Sequence, residues 1–319
     1  MTIRWGIIGA SRIAARAFIP NARLDIRNSV GAIAASNLPR AKAFAAENEI
    51  ETAYGSYAEL FADQSIDAIY IAQPPVFHPE LTLAAVSAGK AVLVEKPFGI
   101  TKAAVADFLA KAPADHLAWE ALVFAFHPQI HIARQLEAEL GAIRHIYSHF
   151  VYTPEQLDDY RKDPTIGGGA LLDVGTYCLR AAQLIMNQTP NLVKAEAIFS
   201  ELGNNDEGNA FFEYPTGVTF HMHWSNRKPR DKSLVIEYEN GAAVFEEPFN
   251  PASSDYVLVR QAGTTRKLVA GSVTTWQYAL SHIGDVLTMG STPIHQIKDF
   301  SMEQADLLER IDRLARGAH

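Results

Sequence analysis

The chain has 319 residues, 48% hydrophobic and 20% charged, which suits a soluble globular protein and is enough for two domains. Its net charge of −8, from 28 basic against 36 acidic residues, argues against nucleic acid or an anionic membrane as partner. The lone Cys178 leaves no internal disulfide, MTIRWGIIGA reaches a glycine turn too early for a secretory signal, and no run approaches the roughly 20 apolar residues that span a bilayer, so a reducing, cytoplasmic setting is expected.

Up to about Glu120, short apolar runs alternate with helical patterns. The runs are Ile3–Gly9, Val30–Ala35, Asp67–Ala72, Ala91–Glu95 and His116–Trp119. Helices are predicted over Arg12–Ala22, Pro39–Asn48, Ser56–Asp63, Phe77–Ala88 and Thr101–Ala110. Near-continuous apolar strands separated by helices imply a parallel sheet covered on both faces, here a dinucleotide-binding (Rossmann) domain over residues 1–120. From 121 to 319 the strands lengthen: Arg144–Val151, Leu192–Leu202, Gly208–Tyr214, Val218–Asn226, Ser233–Glu239, Ala242–Glu246 and Tyr256–Gln261. Gly-Asn, Pro-Thr-Gly and Glu-Asn-Gly turn signals between several of them point to an open, mostly antiparallel sheet in an α+β domain. Helices over Asp173–Met186, Thr274–Met289 and Met302–Arg316 complete that half.

GIIGASRIA, residues 6–14, follows the first strand and opens a helix, the context of a dinucleotide-binding turn. Gly9 makes the turn, and the amides of Ala10, Ser11, Arg12 and Ile13 can face a pyrophosphate at the helix start. Ser11 stands where a middle glycine is usual; its hydroxyl can donate to phosphate, or simply cap the helix. After the second strand comes Ala35-Ser36-Asn37, with no acid to accept from a ribose 2′-hydroxyl, and then Arg40 and Lys42. Ser36 with Arg40 can take a 2′-phosphate, which favours NADP over NAD; a helix capped by Asn37 with a solvated basic face is the competing reading.

The fourth strand ends IAQPPVFH, placing Gln73, Pro74 and His78 at a carboxyl edge where such sheets bind ligands, beside the nicotinamide half of a cofactor. His78 can equally be a packed residue at the start of a helix. AVLVEKPFGI, residues 91–100, runs a buried strand straight into Glu95, Lys96 and Pro97. A lysine at that exit can polarise a substrate oxygen or tune a proton-transfer group; alone, the tripeptide is better explained as a salt bridge. DPTIGGGALLDVGTYCLRAAQLI, residues 163–185, adds glycines that permit close backbone approach, with Asp173 and Tyr177 four residues apart on one helical face. A phenol beside a carboxylate and within reach of a lysine makes a proton relay for hydride chemistry.

In order and at similar spacings, GIIGASRIA, IAQPPVFH, AGKAVLVEKPFGI, WEALVFAFHPQ and GGGALLDVGTY resemble the Gfo/Idh/MocA oxidoreductases over nearly the whole chain. The nearest branch is that of dimeric dihydrodiol dehydrogenase, glucose–fructose oxidoreductase and xylose dehydrogenase, where tyrosine stands at the position of Tyr177 and many relatives have histidine. The resemblance implies NAD(P)-dependent hydride transfer at a sugar, polyol or trans-diol hydroxyl, or at the corresponding carbonyl. It implies Lys96 as a catalytic residue, Tyr177 as general acid/base and Asp173 as their partner; beside this, Glu95 and Lys96 join Gly9, Ser11 and Gln73 as the expected cofactor contacts. The substrate is then expected between nicotinamide and the open sheet, touching Lys96 and Tyr177.

Ala125 departs from the pattern, since relatives often carry arginine before FHP, whereas Glu120 and His127 match it. In GVTFHMHWSN, Val218, Phe220, Met222 and Trp224 alternate with Thr219, His221, His223 and Ser225. No Cys or acid lies among these histidines, so a polar face meeting solvent or a second subunit is expected rather than a metal site; large open sheets of this kind commonly pair, and a homodimer or higher homo-oligomer is the working hypothesis. Two alternatives remain: redox-assisted glycoside cleavage with the same cofactor, and a non-enzymatic nucleotide-responsive binding module. Substrate identity depends on loops such as 152–166 and 228–232.

Overall fold

The computed structural model describes residues 2–154, 160–252 and 255–317; the segment 155–159 of the loop at 152–166 lies outside the described residues. Contacts divide the chain into two units. The first comprises Met1–Gly99, Ala103–Leu122 and Trp276–Met302; the second comprises Ile100–Lys102, Val123–Thr275 and Glu303–His319.

In the first unit, β1 (Ile3–Ile8), β2 (Asn28–Ala34), β3 (Thr52–Tyr54), β4 (Ala68–Ile71), β5 (Ala91–Val94) and β6 (Ala118–Glu120) form one sheet. Its order is β3-β2-β1-β4-β5-β6 and every pairing is parallel, as the apolar runs imply. β4 and β5 are buried at each position, which is why they read as unbroken hydrophobic stretches. β3 is an unexpected edge strand of three half-buried residues, too short to carry a periodicity.

The helices begin where local chemistry satisfies their free amides. Asn37 Oδ1 accepts from the Arg40 amide at 2.9 Å with proline in the first turn, and Ser56 and Glu59 close a capping box. An aromatic stack of Phe18 on Tyr70 (4.2 Å, 10°) anchors the core, with Trp5 edge-on to Phe18 and Trp276 edge-on to Tyr70. Trp276 belongs to the helix Thr275–Met289, which chain order places with the C-terminal half but which packs within the first unit. Arg27 pairs with Asp285, and Trp119 Nε1 donates to the Ile294 carbonyl at 2.9 Å. A single cut at 120 therefore misses a return of the chain, made through indole and guanidinium contacts that periodicity does not register.

In the second unit, β7 (Ile143–Val151), β8 (Asn191–Phe199), β9 (Asn205–Glu213), β10 (Thr219–Ser225), β11 (Asp231–Tyr238), β12 (Gly241–Phe245), β13 (Tyr256–Gln261) and β14 (Thr264–Val269) form the other sheet. The order is β14-β13-β12-β11-β7-β10-β9-β8, antiparallel except for the central β7–β10 pair. Phe220, Met222 and Trp224 are buried on one face, and His221 and His223 alternate with them. β14 is almost wholly exposed, so it lacks the hydrophobic alternation that would reveal it. The helices Gln129–Gln135 and Glu137–Leu140 are also unforeseen, each being too short for a helical period to stand out.

Candidate active site

The glycine turn sits where the strand order of the first sheet reverses, between the carboxyl ends of β1 and β4, the place such sheets keep for ligands. Gly9 has φ +101°, and a methyl group there would lie 2.5 Å from the Ala72 carbonyl oxygen and 2.6 Å from Gln73 Nε2. Only glycine adopts this φ and lets the turn pack so closely on the end of β4, the geometry that a dinucleotide-binding turn between strand and helix requires. The turn thus fits a dinucleotide, and Gln73 is brought to it. Ser11 takes the capping role, its Oγ accepting from the Ala14 amide at 3.2 Å. The chain then enters a π-helical segment, Ala14–Phe18, followed by the α-helix Ile19–Arg23. Arg40 reaches back so that Nη2 donates to the Ala10 carbonyl at 3.2 Å, and Ser36 is exposed. Asn37 caps the helix and Arg40 meets the turn, so the two competing readings of this segment are compatible.

Lys96 leaves the end of β5 through a cis Lys96–Pro97 peptide. Glu95 is held by the Tyr70 hydroxyl, which donates to Oε1 at 2.6 Å, and its Oε2 accepts from the Lys96 amide at 3.3 Å. His78 is buried, with Nδ1 2.8 Å from the Pro97 carbonyl oxygen and Nε2 2.7 Å from that of Gln73. Burial brings its pKa down to about 4, against the pull of both carbonyls and in concert with the Lys96 charge. In its neutral form His78 donates to one of these carbonyls and packs its other nitrogen against the second, between the ends of β4 and β5 that carry Gln73 and Lys96. Glu120 accepts from the Phe98 amide at 2.9 Å and from the Ser301 hydroxyl at 2.9 Å, a second tie on the same segment.

In the second unit the glycine triplet explains itself. A Cβ at Gly168 would lie 2.6 Å from the Arg161 carbonyl oxygen and 2.7 Å from that of Asp163. The Gly168 amide donates to Asp163 and the Gly169 amide to Arg161, both at 2.9 Å. This fold-back delivers Arg161 to Asp173, its Nε donating to Oδ2 at 2.8 Å, and the Tyr152 hydroxyl donates to the same oxygen. Burial disfavours the guanidinium charge, but the Asp173 carboxylate with the Tyr160 and Tyr152 phenols outweighs it and raises the Arg161 pKa. Burial and then the Asp173 charge raise the Tyr152 phenol as well. Arg161 and Tyr152 are partners of Asp173 that spacing alone does not name; the available signal was the glycine triplet, which demands a segment packed against it.

Tyr177 is half-buried in an aromatic cage, 5.9 Å from Phe124, 5.5 Å from Phe150 and 5.4 Å from Phe249 between ring centroids. It stands on the first turn of the helix Thr176–Met186, directly after the π-helical segment Leu171–Gly175 that holds Asp173. Ala125 is buried in the short turn Val123–Phe126. His127 is buried too and has its pKa brought down to about 4 by that burial. On the open sheet, His221 Nε2 meets Asn209 Oδ1 at 3.0 Å and His223 Nδ1 meets the Gly208 carbonyl at 3.0 Å. Among the described residues no helix is long and apolar enough to cross a membrane.

A parallel sheet with a glycine turn at its reversal point is the fold of a dinucleotide-binding domain, and its match to an NAD-binding oxidoreductase family makes the protein a nicotinamide-dinucleotide-dependent oxidoreductase. When bound, the nicotinamide supplies the hydride acceptor or donor. Family models agree: residues 3–118 match the oxidoreductase family with an NAD-binding Rossmann fold, and residues 133–244 match the GFO/IDH/MocA C-terminal domain. The chain belongs to the Gfo/Idh/MocA oxidoreductase family. It is 34% identical over 252 residues to D-xylose 1-dehydrogenase (NADP(+)) 2 of Haloferax volcanii, covering 77% of this chain and 76% of that one. It is 35% identical over 258 residues to trans-1,2-dihydrobenzene-1,2-diol dehydrogenase of Sus scrofa, covering 78% and 75%. Among solved structures, a 3-ketoreductase from Actinomadura kijaniata in complex with NADP and TDP-benzene superposes with a TM-score of 0.89 at 27% identity, covering 100% of this chain and 98% of that one.

Proposed function

We propose that the protein transfers a hydride between NADP and a secondary hydroxyl of a sugar, polyol or trans-diol, or the corresponding carbonyl. In the oxidative direction the hydride would go to the nicotinamide while Tyr177, as phenolate, takes the hydroxyl proton and Lys96 stabilises the charge on that oxygen; in the reductive direction the Tyr177 phenol gives its proton to the carbonyl oxygen. Asp173 serves this pair by fixing the start of the helix that presents Tyr177, through Arg161 and Tyr152. The observation that carries the reading is the lysine at the exit of β5, where Glu95 accepts from the Lys96 backbone amide and from the Tyr70 hydroxyl and His78 lies against the carbonyls of Pro97 and Gln73. The glycine turn Gly9–Ile13, with Gln73, Pro74 and Glu95 along the sheet edge, forms the cofactor side, and His78, expected beside the nicotinamide, instead packs beneath that edge. Sugar and diol substrates are supported by the xylose and dihydrodiol dehydrogenases that the chain resembles.

Preference for NADP is supported by the absence of a carboxylate in the Ala35-Ser36-Asn37 segment after β2, by the exposed Ser36 and by Arg40 at the Ala10 carbonyl. The open sheet face, which carries His145, Tyr147, His149, Phe211 and His221, is proposed to pair two copies in a cytoplasmic homodimer. Sedimentation at micromolar concentration showing monomer alone would remove the dimer.

The test is a fluorescence screen of NADP⁺ reduction over sugars, polyols and trans-diols, repeated with NAD⁺. Lys96→Ala and Tyr177→Phe should each lower turnover at least about 100-fold while changing cofactor affinity by no more than about threefold. Equal loss of turnover and affinity would mark both residues as structural.

A further inference from the structure

Phe249 is fully buried against Tyr177, Phe150 and Phe124, yet it lies in a loop after β12 with no ladder to hold it. Its ring stacks on Phe150 at 11° and 5.5 Å, stands edge-on to Phe124, and lies 5.4 Å from Tyr177. Two polar side chains secure the loop. Gln129, itself buried, donates through Nε2 to the Pro248 carbonyl at 2.6 Å and to the Glu247 carbonyl at 3.4 Å. Lys232, whose side chain is 5% exposed, pairs with the Glu247 carboxylate and places its ammonium 5.9 Å from the Phe150 ring centroid.

Lys232 is directly opposite Phe150 across the β7–β11 ladder. Its position is thus fixed by the sheet, while its charge reaches the loop. Burying a lysine is costly, and burial lowers the Lys232 pKa even with Glu247 beside it. A long apolar side chain would fill the same space without that cost, so the charge is retained for something packing does not supply.

We infer that Lys232 is a positioning residue for the proton-transfer phenol: with Glu247 and Gln129 it clamps the loop that presses Phe249 onto Tyr177. The inference rests on the reading of Tyr177 as acid/base, and its consequence is specific. Loosening the clamp lets the phenol wander from its reacting geometry, which lowers the rate of the chemical step more than binding, because small misplacements of a reacting group are heavily penalised.

Lys232→Met preserves the stem and the fold's volume. It should lower kcat about tenfold with the KM for NADP⁺ within about twofold, and should raise amide exchange in the peptide spanning 244–252. Glu247→Gln should reproduce both effects and Lys232→Arg should restore both. The double variant Lys232→Met with Glu247→Gln should be no slower than either single one, because each change releases the same clamp. Faster exchange with unchanged kcat overturns the inference, as does unchanged exchange with lowered kcat, which assigns Lys232 a direct contact with substrate. Tyr177→Phe in the same assay separates the two claims. If that variant retains full turnover, the acid/base reading fails by itself, while the exchange measurement still decides whether the clamp exists.

Discussion

Acid should weaken the first unit through one side chain, His78. Its imidazole is 1% exposed and lies between the carbonyls of Gln73 and Pro97, and burial brings its pKa down to about 4 from the ordinary 6.5. The unfolded chain therefore takes up a proton here below about pH 6.5, whereas the folded protein resists until about pH 4. Stability is full above the upper value and is lost as pH falls towards the lower one. Linkage between those two values gives a loss of about 2 kcal/mol from pH 7 to pH 5, rising to about 3 kcal/mol at pH 4. His78→Gln keeps an amide donor for one carbonyl and removes the titration. Urea unfolding can be followed by tryptophan fluorescence, because three of the four tryptophans, Trp5, Trp119 and Trp276, lie in this unit. Between pH 7 and pH 5 the wild-type protein should lose about 2 kcal/mol more than the variant. Parallel pH dependences would refute a folded-state His78 that stays neutral down to about pH 4.

Gly9→Ala places a methyl group 2.5 Å from the Ala72 carbonyl oxygen at φ +101°, so the turn must shift. Affinity for NADP⁺ in a fluorescence titration should fall at least about tenfold, and unchanged affinity would mean that the turn is not the cofactor cradle. Asp173→Asn removes the counter-charge of Arg161 and should cost about 3 kcal/mol, the low end for a broken buried pair, because 28% of the Arg161 side chain reaches solvent. Adding Arg161→Met should recover part of that loss in chemical unfolding; a single-variant cost below about 1 kcal/mol would show that the pair is not holding the helix start.

Strand runs with full burial, such as Ala68–Ile71 and Ala91–Val94, were legible because a parallel sheet buries both faces and so writes an unbroken apolar stretch. The glycine turn was legible because a positive φ needs glycine and because it falls between a strand and a helix. Thr52–Tyr54 and Thr264–Val269 were not, since edge strands with exposed or half-exposed residues carry no period. Asp173 and Tyr177 could be picked out by type and spacing, but their neighbours could not. Arg161 and Tyr152 reach Asp173 across separations of 12 and 21 residues, and Phe249 meets a tyrosine far earlier in the chain.

The sequence alone determined the two architectures, the dinucleotide turn and the lysine at the strand exit, because each depends on short-range periodicity or on one residue's backbone freedom. Tertiary structure decided that His78 is buried between two carbonyls, that Arg161 belongs to Asp173, that Trp276–Met302 returns to the first unit, and that Lys232 faces Glu247. Those facts depend on which distant side chains share a volume from which water is excluded. Burial sets the charge state and the partners of such groups, and no local pattern encodes it.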